Sequence, residues 1–256
     1  MVDSAGDDQV AAVAGEFASV QLARVTQPLS AGAARNHGLG FARGRLVAFI
    51  DADCVADPDW LLRCRQALAN ESVQLAGGPV LDLDSSRWIA AADNRLQFAD
   101  LVPTRPEGPA WHFPACNMVI RREALLTAGG FPATSLGEDV QLCSAVRTRW
   151  PGSLRFDPAM RVQHAGRASW TAYLHHQEQF GYSRGAAGLH LAPWQRRLGR
   201  WRAMIPLVVA KRFSYLVTAG LRHGGAGKTL LLTPLLMPGL WRYASGFRRG
   251  CRVTAT

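Results

Sequence analysis

The chain has 256 residues, of which 48% are hydrophobic and 19% charged, and its formal net charge is +10. This length and composition predict a globular protein with a sizeable core, in one large or two small domains. The five cysteines include no Cys-x-x-Cys pair, which argues against a disulfide framework and a structural zinc site and favours a reducing, intracellular compartment.

The positive charge is concentrated in the C-terminal third of the sequence. Thirteen lysine and arginine residues follow Glu178, and no acidic residue does. This asymmetry predicts that the end of the chain meets an anionic surface. We do not expect a nucleic-acid partner, because neither a single-strand-binding sheet nor a recognition helix accompanies the basic segment.

The first 45 residues predict short alternating elements. Residues 1–8 have the pattern of a strand end running into a polar turn, residues 9–17 have helical spacing of apolar side chains, and residues 19–24 favour a short strand. A glycine-loosened turn and a small-residue helix over residues 30–44 then lead into the next strand. This alternation of strands and helices is typical of an α/β fold.

The most informative stretch is an apolar run that ends in two carboxylates. Residues 46–50 predict a buried parallel strand, and Asp51 and Asp53 follow at the end where open α/β sheets bind their ligands. Neighbouring carboxylates repel each other unless a cation neutralises them, which indicates a Mg²⁺ or Mn²⁺ site. The alternative is that one acid caps the next helix, predicted to begin at Asp57-Pro58, and the other is solvated.

The middle of the sequence predicts a strand over residues 73–80, a helix over residues 88–98 and a loop over residues 102–113. Trp111 and His112 in this loop either stack on a sugar or an acceptor or anchor the loop to the sheet. Both alternatives remain open at the level of the sequence.

Further polar side chains follow in the second half of the sequence. Glu138 and Asp139 begin a predicted helix, whose positive end can orient a carboxylate as a general base, although the pair could also simply complement the helix dipole. His164 follows a strand-like segment and is either a metal ligand or a structural histidine. His175 and His176 lack the spacing that clamps one ion and are predicted to lie at the surface or at an interface.

Several blocks of the sequence together resemble one known family. The blocks are Val2-Asp3 with Asp8; Ala34-Arg35-Asn36-x-Gly38 with Ala42-x-Gly44; Phe49-x-Asp51-Ala52-Asp53; and Cys116-Asn117-Met118-Val119-Ile120-Arg121-Arg122, Gly129-Gly130-Phe131 and Gly137-Glu138-Asp139-Val140-x-Leu142. Their order and spacing over residues 2–185 are similar to those of the inverting family 2 glycosyltransferases of the GT-A fold. The resemblance implies a GT-A-like, mostly parallel sheet flanked by helices. The family's first strand and first helix are missing from this sequence.

The resemblance implies a nucleotide-sugar donor, with UDP, GDP or dTDP as the nucleotide. Asp3 would contact the base or the ribose, Arg35 would lie near the base, and Asp51 would hold the ribose. Asn117 would belong to the same nucleotide-sugar site.

The resemblance also implies the catalytic groups. Asp53 and His164 would ligate the Mg²⁺ or Mn²⁺ that bridges the donor diphosphate. Asp139 would be the general base that deprotonates the acceptor hydroxyl, with Glu138 as its neighbour in the catalytic pair. The Gln-x-x-Arg-Trp signature of processive synthases is absent from the sequence, so transfer of a single sugar is expected.

The predicted division is a catalytic domain over residues 1–188 and a basic, amphipathic and apolar helical region over residues 189–256. In the second region, one predicted helical face carries Trp194, Trp201 and other apolar residues opposite arginines, as interfacial membrane binding requires.

Two apolar stretches follow in this region, residues 205–221 and 230–241. Charges or prolines interrupt both stretches, so they stay below the roughly 20 apolar residues of a spanning helix. We therefore expect peripheral or re-entrant docking at the cytoplasmic face of an anionic membrane, and a lipid or glycan acceptor. The alternative is a helical cover for the catalytic domain.

Two other functions are consistent with parts of the sequence. The run from Asp51 to Val55 also resembles the nucleophile motif of haloacid-dehalogenase-type phosphohydrolases, which need a lysine in the site, but the only lysines are Lys211 and Lys228 in the tail. A catalytically impaired, membrane-associated scaffold is the third hypothesis, since the family's first strand would contribute to the base pocket.

Overall fold

The computed structural model describes residues 1–4, 6–134, 136–187 and 192–253 of the protein. Its strands are β1 (Val2–Asp3), β2 (Ala23–Arg24), β3 (Leu46–Phe49), β4 (Cys54–Ala56), β5 (Leu75–Gly77), β6 (Val80–Asp82), β7 (Gly108–Pro109), β8 (Met118–Arg121), β9 (Leu154–Phe156) and β10 (Val162–His164). Its helices are α1 (Asp8–Gly15), α2 (Ala31–Phe41), α3 (Trp60–Ala67), α4 (Trp88–Gln97), α5 (Arg122–Thr127), α6 (Glu138–Arg149), α7 (Trp170–Ala187), α8 (Pro193–Gly199), α9 (Ile205–His223), α10 (Ala226–Leu231) and α11 (Thr233–Val253). The predicted domain boundary at residues 188 and 189 lies outside the described residues.

A five-stranded sheet in the order β3-β8-β5-β9-β7 forms the centre of the fold. Strands β3, β5 and β9 run in one direction, whereas β8 and β7 are antiparallel to their neighbours. The predicted α/β fold class is confirmed, but the sheet is mixed, because β8 inserts between β3 and β5. As a consequence, β3 is a half-buried strand with an antiparallel neighbour and not the buried parallel strand that its apolar run predicts.

A smaller sheet in the order β4-β10-β6 adjoins the first one. Strand β10 pairs antiparallel with β4 and parallel with β6, so that His164 lies opposite Cys54 on one side and Asp82 on the other. Because β4 follows Asp53 directly, this pairing brings the acidic turn next to His164. The same pairing keeps the backbone extended as far as Asp57, and α3 begins only at Trp60. The prediction of a helix beginning at Asp57-Pro58 is therefore wrong by two to three residues.

The C-terminal helices pack on the helices that precede them in the chain. A second hydrophobic cluster combines α4 and α7 with α9 and α11, and its fully buried members include Tyr173, Leu216, Leu236 and Leu240. The hydroxyl of Tyr173 donates to the carbonyl of Leu235 at 2.9 Å. Burial of this apolar surface is the main force that holds the helices together. The C-terminal helices and the preceding α/β part thus share this cluster.

Glycines make the contact between α7 and α11 unusually close. A Cβ on Gly181 would lie 2.0 Å from the Tyr243 carbonyl oxygen, and one on Gly246 would lie 2.0 Å from the Glu178 carbonyl oxygen. Gly185 and Gly250 repeat the arrangement one turn further along each helix. The four-residue spacing places each pair on one helical face, which allows the two backbones to touch.

The basic tail differs in two ways from the predicted amphipathic helix and short apolar stretches. Helix α8 ends at Gly199, and Trp201 lies in the following turn with 68% of its surface exposed. Helix α9 continues through Lys211 and Arg212, since the Arg212 guanidinium stacks on Tyr243, 3.9 Å from the ring centre. Among the described residues, Arg202–His223 is the one segment with the length and mean hydropathy (1.3) of a spanning helix.

Candidate active site

A cavity of about 240 Å³ opens beyond the end of β3. Helices α2, α4, α6 and α7, strand β10 and the acidic turn all contribute side chains to its wall. Its polar lining comprises Arg35, Asp51, Asp53, Gln97, His112, Glu138, Asp139, His164, Arg167, His176 and Arg184. Six of the eight predicted site residues are therefore brought together: Arg35, Asp51, Asp53, Glu138, Asp139 and His164.

Arg35 links the two acidic motifs across the cavity. Its guanidinium donates to Asp51 Oδ1 at 2.7 Å and to Glu138 Oε1 at 2.5 Å, and it stacks on the Phe131 ring. Burial opposes the charge of Arg35, but the two carboxylates raise its pKa above the ordinary value. The guanidinium is therefore a permanent cation that fixes the turn after β3 relative to the start of α6.

The Glu138-Asp139 pair occupies the first turn of α6, where the positive end of the helix favours carboxylates. Gly137 precedes it with φ of +82°, a conformation that a residue with a Cβ rarely adopts. Glu138 is 5% exposed, and burial, followed by the charge of Asp139, raises its pKa. Asp139 is half-buried, lines the cavity and has no cation within ion-pair distance among the described residues. Asp139 Oδ1 accepts from the Val140 N–H at 2.7 Å, so the helix end orients a carboxylate that carries no ion pair.

Asp53 and His164 form the second polar cluster. His164 Nε2 lies 3.4 Å from Asp53 Oδ2, and Arg167 approaches the same oxygen at 3.8 Å. The contact from His164 is the largest cause that lowers the pKa of Asp53, while partial burial opposes it. Asp53 is thus held as a carboxylate beside an imidazole.

Asn94 sets the orientation of the His164 ring. The sequence analysis did not identify this residue. Its amide nitrogen donates to Asp82 Oδ1 and to the His164 carbonyl, so its oxygen must be the atom that lies 2.7 Å from His164 Nδ1. Nδ1 also accepts from the Gly166 N–H at 3.1 Å. The two contacts at Nδ1 fix the plane of the ring and direct Nε2 toward Asp53.

A second buried network lies beneath the cavity. Asp93 is fully buried and accepts from Gln177 and from the backbone of Arg167, and His176 Nδ1 lies 3.0 Å from its carboxylate. The prediction of a surface or interfacial position is wrong for His176, which lines the cavity, whereas His175 is exposed. Helical spacing alone could not show this, because the burial of His176 depends on α4.

Asp3 and Asn117 do not line this cavity. Asp3 is 5% exposed, accepts from the Gly6 N–H and pairs with Arg24. Asn117 is fully buried, and its amide bonds to Pro79, Met160 and Trp60. Their assignment to the nucleotide-sugar site stays a prediction.

The two loop aromatics have different environments. Trp111 is 72% exposed, and the guanidinium of Arg147 stacks on its ring. His112 is half-buried and faces the cavity. Burial, together with the charge of Arg184, lowers the pKa of His112. Its imidazole is therefore neutral near pH 7, while Trp111 belongs to the outer surface.

The residues at Asp53 fit a divalent cation. Side chains of Asp53, Cys54 and His164 offer ligand atoms that all lie within 4.8 Å of one another. One carboxylate oxygen and one imidazole nitrogen suit Mn²⁺, and they suit Mg²⁺ when substrate oxygens complete the shell. Cys54, which the sequence analysis did not include, would favour a softer metal ion.

The chain has a GT-A-like fold, with a mixed central sheet, an acid-x-acid turn after one of its strands and a helix that starts with two carboxylates across the same cavity. Mannosyltransferase PcManGT from Pyrobaculum calidifontis, solved in complex with GDP-Man and Mn²⁺, matches 97% of this chain and 76% of its own with a TM-score of 0.61 at 18% identity. TarS residues 1–349 from S. aureus, solved with UDP-GlcNAc, match 96% of this chain and 80% of their own with a TM-score of 0.53 at 10% identity. At these identities the likeness establishes the fold.

The sequence comparisons identify the family. Residues 1–127 match the model of "Glycosyl transferase family 2". Pre-mycofactocin glycosyltransferases from two strains of Mycobacterium tuberculosis are 27% identical over 157 residues, which is 59% of this chain and 33% of theirs. Residues 1–127 belong to the family 2 glycosyltransferases, and the chain spans about a third of the length of these curated relatives.

Proposed function

We propose that the protein transfers one sugar from a nucleotide-sugar donor to an acceptor hydroxyl, with Mg²⁺ or Mn²⁺ and with inversion at the anomeric carbon. The observation that carries this proposal is the convergence of Asp53, His164 and Asp139 on one cavity. These residues come from three distant parts of the sequence, and chance proximity is a poor explanation for three such groups in family positions.

The donor would bind with its diphosphate at Asp53 and His164. These two side chains would hold the metal ion, which as a Lewis acid stabilises the charge on the departing nucleoside diphosphate. Asn94 keeps Nε2 of His164 directed at this position, and Arg167 adds a cation next to it. The structural neighbours bind GDP-Man with Mn²⁺ or UDP-GlcNAc, which supports a nucleotide-sugar donor without selecting its base.

Asp139 would accept the proton of the acceptor hydroxyl as the new bond forms. The hydroxyl oxygen attacks the anomeric carbon, the carbon–oxygen bond to the diphosphate breaks, and the bonding electrons leave with the nucleotide. A single displacement from the face opposite the leaving group inverts the anomeric centre. Arg35 holds Glu138 and Asp51 in place, so that the base and the donor-binding turn stay aligned.

A phosphohydrolase finds no support at the cavity. Among the described residues neither lysine lies in its wall, because Lys228 pairs with Asp82 and Lys211 lines a different cavity. A haloacid-dehalogenase site would need one of them beside Asp51 or Asp53.

Donor binding is expected to depend on both Asp53 and the metal ion. With Mn²⁺ and a UDP- or GDP-sugar at 100 times its Kd, the free energy of unfolding should rise by about 2.7 kcal/mol, seen as a higher Tm. Asp53→Ala should abolish this increase. The control is Asp59→Ala, because the side chain of Asp59 is as exposed as that of Asp53 (45% against 44%) but lies outside the cavity. If none of the donors raises the Tm with either cation, the transferase proposal fails and the scaffold hypothesis gains support.

The basic tail supports a second proposal, that the protein docks on the cytoplasmic face of an anionic membrane. A hollow of about 570 Å³ is lined by four arginines and one tryptophan: Arg197, Arg200, Trp201, Arg202 and Arg252. None of the four pairs with a carboxylate among the described residues. Clustered cations beside an exposed aromatic ring match anionic headgroups at a bilayer surface.

Vesicle flotation tests this docking surface. The protein should float with vesicles that contain phosphatidylglycerol, float several-fold less with pure phosphatidylcholine, and detach as salt increases. Replacing Trp201 and Arg202 together by serine should reduce flotation several-fold. The matched control replaces Arg87 and Trp88, an equally exposed pair on the catalytic part, and should leave flotation unchanged. Equal flotation of the two double variants would contradict the proposal.

A further inference from the structure

A second, larger cavity adjoins the candidate active site. Its volume is about 540 Å³, within the range of pockets that bind small molecules. Helices α4, α7, α8, α9 and α11 form its walls, and it shares Gln97, His112, Phe180 and Arg184 with the catalytic cavity. The two cavities are therefore adjacent and share a wall, and Asp139 lines the catalytic cavity on the other side of that wall.

The larger cavity is mainly apolar. Its lining includes the aromatic rings of Phe180, Trp194, Tyr243 and Phe247 together with several aliphatic side chains. A sugar nucleotide would leave many of its polar groups without hydrogen-bond partners against such a wall. The lining suits a hydrocarbon or another apolar group.

The charged residues in this wall are all cations. Arg184, Lys211 and Arg212 line it, and no acidic residue does. Aromatic rings flank the two guanidinium groups: Arg184 stacks on Phe180, and Arg212 lies between Phe180 and Tyr243. Arg212 also donates from Nη2 to the Leu96 carbonyl at 2.8 Å. The Nε atoms of both arginines are buried and have no hydrogen-bond partner among the described residues. An anionic group in the cavity would neutralise this charge.

The rim of the cavity is also apolar on its outer side. Trp194 is 62% exposed and Leu207 is 59% exposed, and both line the cavity. Both residues belong to α8 and α9, the helices that flank the four-arginine hollow. A molecule from a membrane surface could enter without exposing its apolar part to water.

We infer that the acceptor is an anionic amphiphile that carries a hydroxyl group. Its apolar part occupies the larger cavity, and its anionic group contacts Arg184, with Arg212 and Lys211 nearby. Arg184 lies in both cavities, so binding there holds the hydroxyl at the Asp139 side of the junction. This inference rests on the proposed transferase function, since it identifies the acceptor of that reaction.

Three matched probes separate the contributions of the hydrocarbon chain and of the phosphate charge. They are decanoyl lysophosphatidate, which has a chain, a phosphate and a hydroxyl; monodecanoylglycerol, which lacks the phosphate; and glycerol 3-phosphate, which lacks the chain. Calorimetric titration of the full chain, below the micelle-forming concentration, should give binding of lysophosphatidate at least tenfold tighter than of either other probe. Equal affinity for lysophosphatidate and monodecanoylglycerol would overturn the inference.

Variants locate the binding site. Arg184→Gln should weaken lysophosphatidate binding about tenfold and leave that of monodecanoylglycerol unchanged, whereas Leu198→Glu at the rim should weaken both. Arg222→Gln, an exposed arginine of α9 outside the cavity, is the control and should bind like the wild type. Wild-type affinity in both Arg184→Gln and Leu198→Glu would contradict the assignment.

The donor measurement separates this inference from the proposed function. Leu198→Glu should keep the Mn²⁺-dependent increase in Tm with the nucleotide sugar, because Leu198 lines only the larger cavity. Loss of lysophosphatidate binding with donor binding intact supports the acceptor site. If the wild type binds the donor but not lysophosphatidate, the inference is contradicted and the transferase proposal is unaffected. If the wild type does not bind the donor, the transferase proposal itself is contradicted.

Discussion

Asp139→Asn is expected to lower the rate of sugar transfer by about 10³-fold, because general-base catalysis typically contributes 10²–10⁴-fold. The amide keeps the size and polarity of the side chain but cannot take the proton of the acceptor hydroxyl. Binding of donor and metal should change little, since the proposed metal and diphosphate site is at Asp53 and His164. The measurement compares transfer rate with the donor-dependent Tm in the same preparation.

The matched control for this prediction is Glu123→Gln. Glu123 is exposed and lies in the first turn of α5, as Asp139 lies in the first turn of α6, so both substitutions remove a carboxylate that complements a helix dipole. If the two variants lose similar activity, Asp139 stabilises the start of α6 and does not act as the base. If Asp139→Asn keeps more than a tenth of the wild-type rate, another group is the base.

The choice of Asp139 over Glu138 came from the family resemblance, and the fold adds contacts that distinguish the two acids. Both acids lie at the same helix end. In the structure, Glu138 accepts from Arg35 and is almost fully buried, while Asp139 is half-buried and has no cation within ion-pair distance among the described residues. An acceptor hydroxyl reaches a half-buried carboxylate more readily than one that an ion pair closes off. Accessibility therefore favours Asp139 as the proposed base.

Much of the prediction came from local sequence patterns. The apolar run before Asp51, the helix starting at Glu138 and the strand before His164 are each encoded within a few residues, and the structure contains all three. These elements place their polar ends at one cavity because strand and helix ends meet at the edge of a sheet.

Long-range contacts account for what the sequence did not reveal. The roles of Asn94 and Arg35 depend on partners far away in the chain, and so does the direction of β8. Asn117 lies in a block that matches the family, but the sequence did not show that its side chain makes buried hydrogen bonds to Trp60, Pro79 and Met160. The close contact of α7 with α11 depends on glycines that meet only after folding.

Arg35→Met is expected to lower the free energy of unfolding by about 3–5 kcal/mol at neutral pH, because it leaves Glu138 buried without its cation. The Asp51 contact adds little to this figure, since that carboxylate is more than a third exposed. Urea denaturation provides the measurement. The control is Arg155→Met, which breaks an exposed pair with Glu107 and should cost about 0–1 kcal/mol.

The pH dependence identifies Glu138 as the source of this loss. Burial, followed by the charge of Asp139, raises the pKa of Glu138, while Arg35 opposes the increase. A carboxyl whose folded pKa is raised stabilises the protein fully below its unfolded pKa of about 4.3, and this contribution is lost as the pH rises through the folded pKa. Without Arg35 the folded pKa rises further, so the deficit of Arg35→Met should be larger at pH 8 than at pH 5. Adding Glu138→Gln to Arg35→Met should restore part of the stability at pH 8. If the loss in free energy of unfolding is the same at the two pH values, Arg35 stabilises the fold through packing on Phe131 instead.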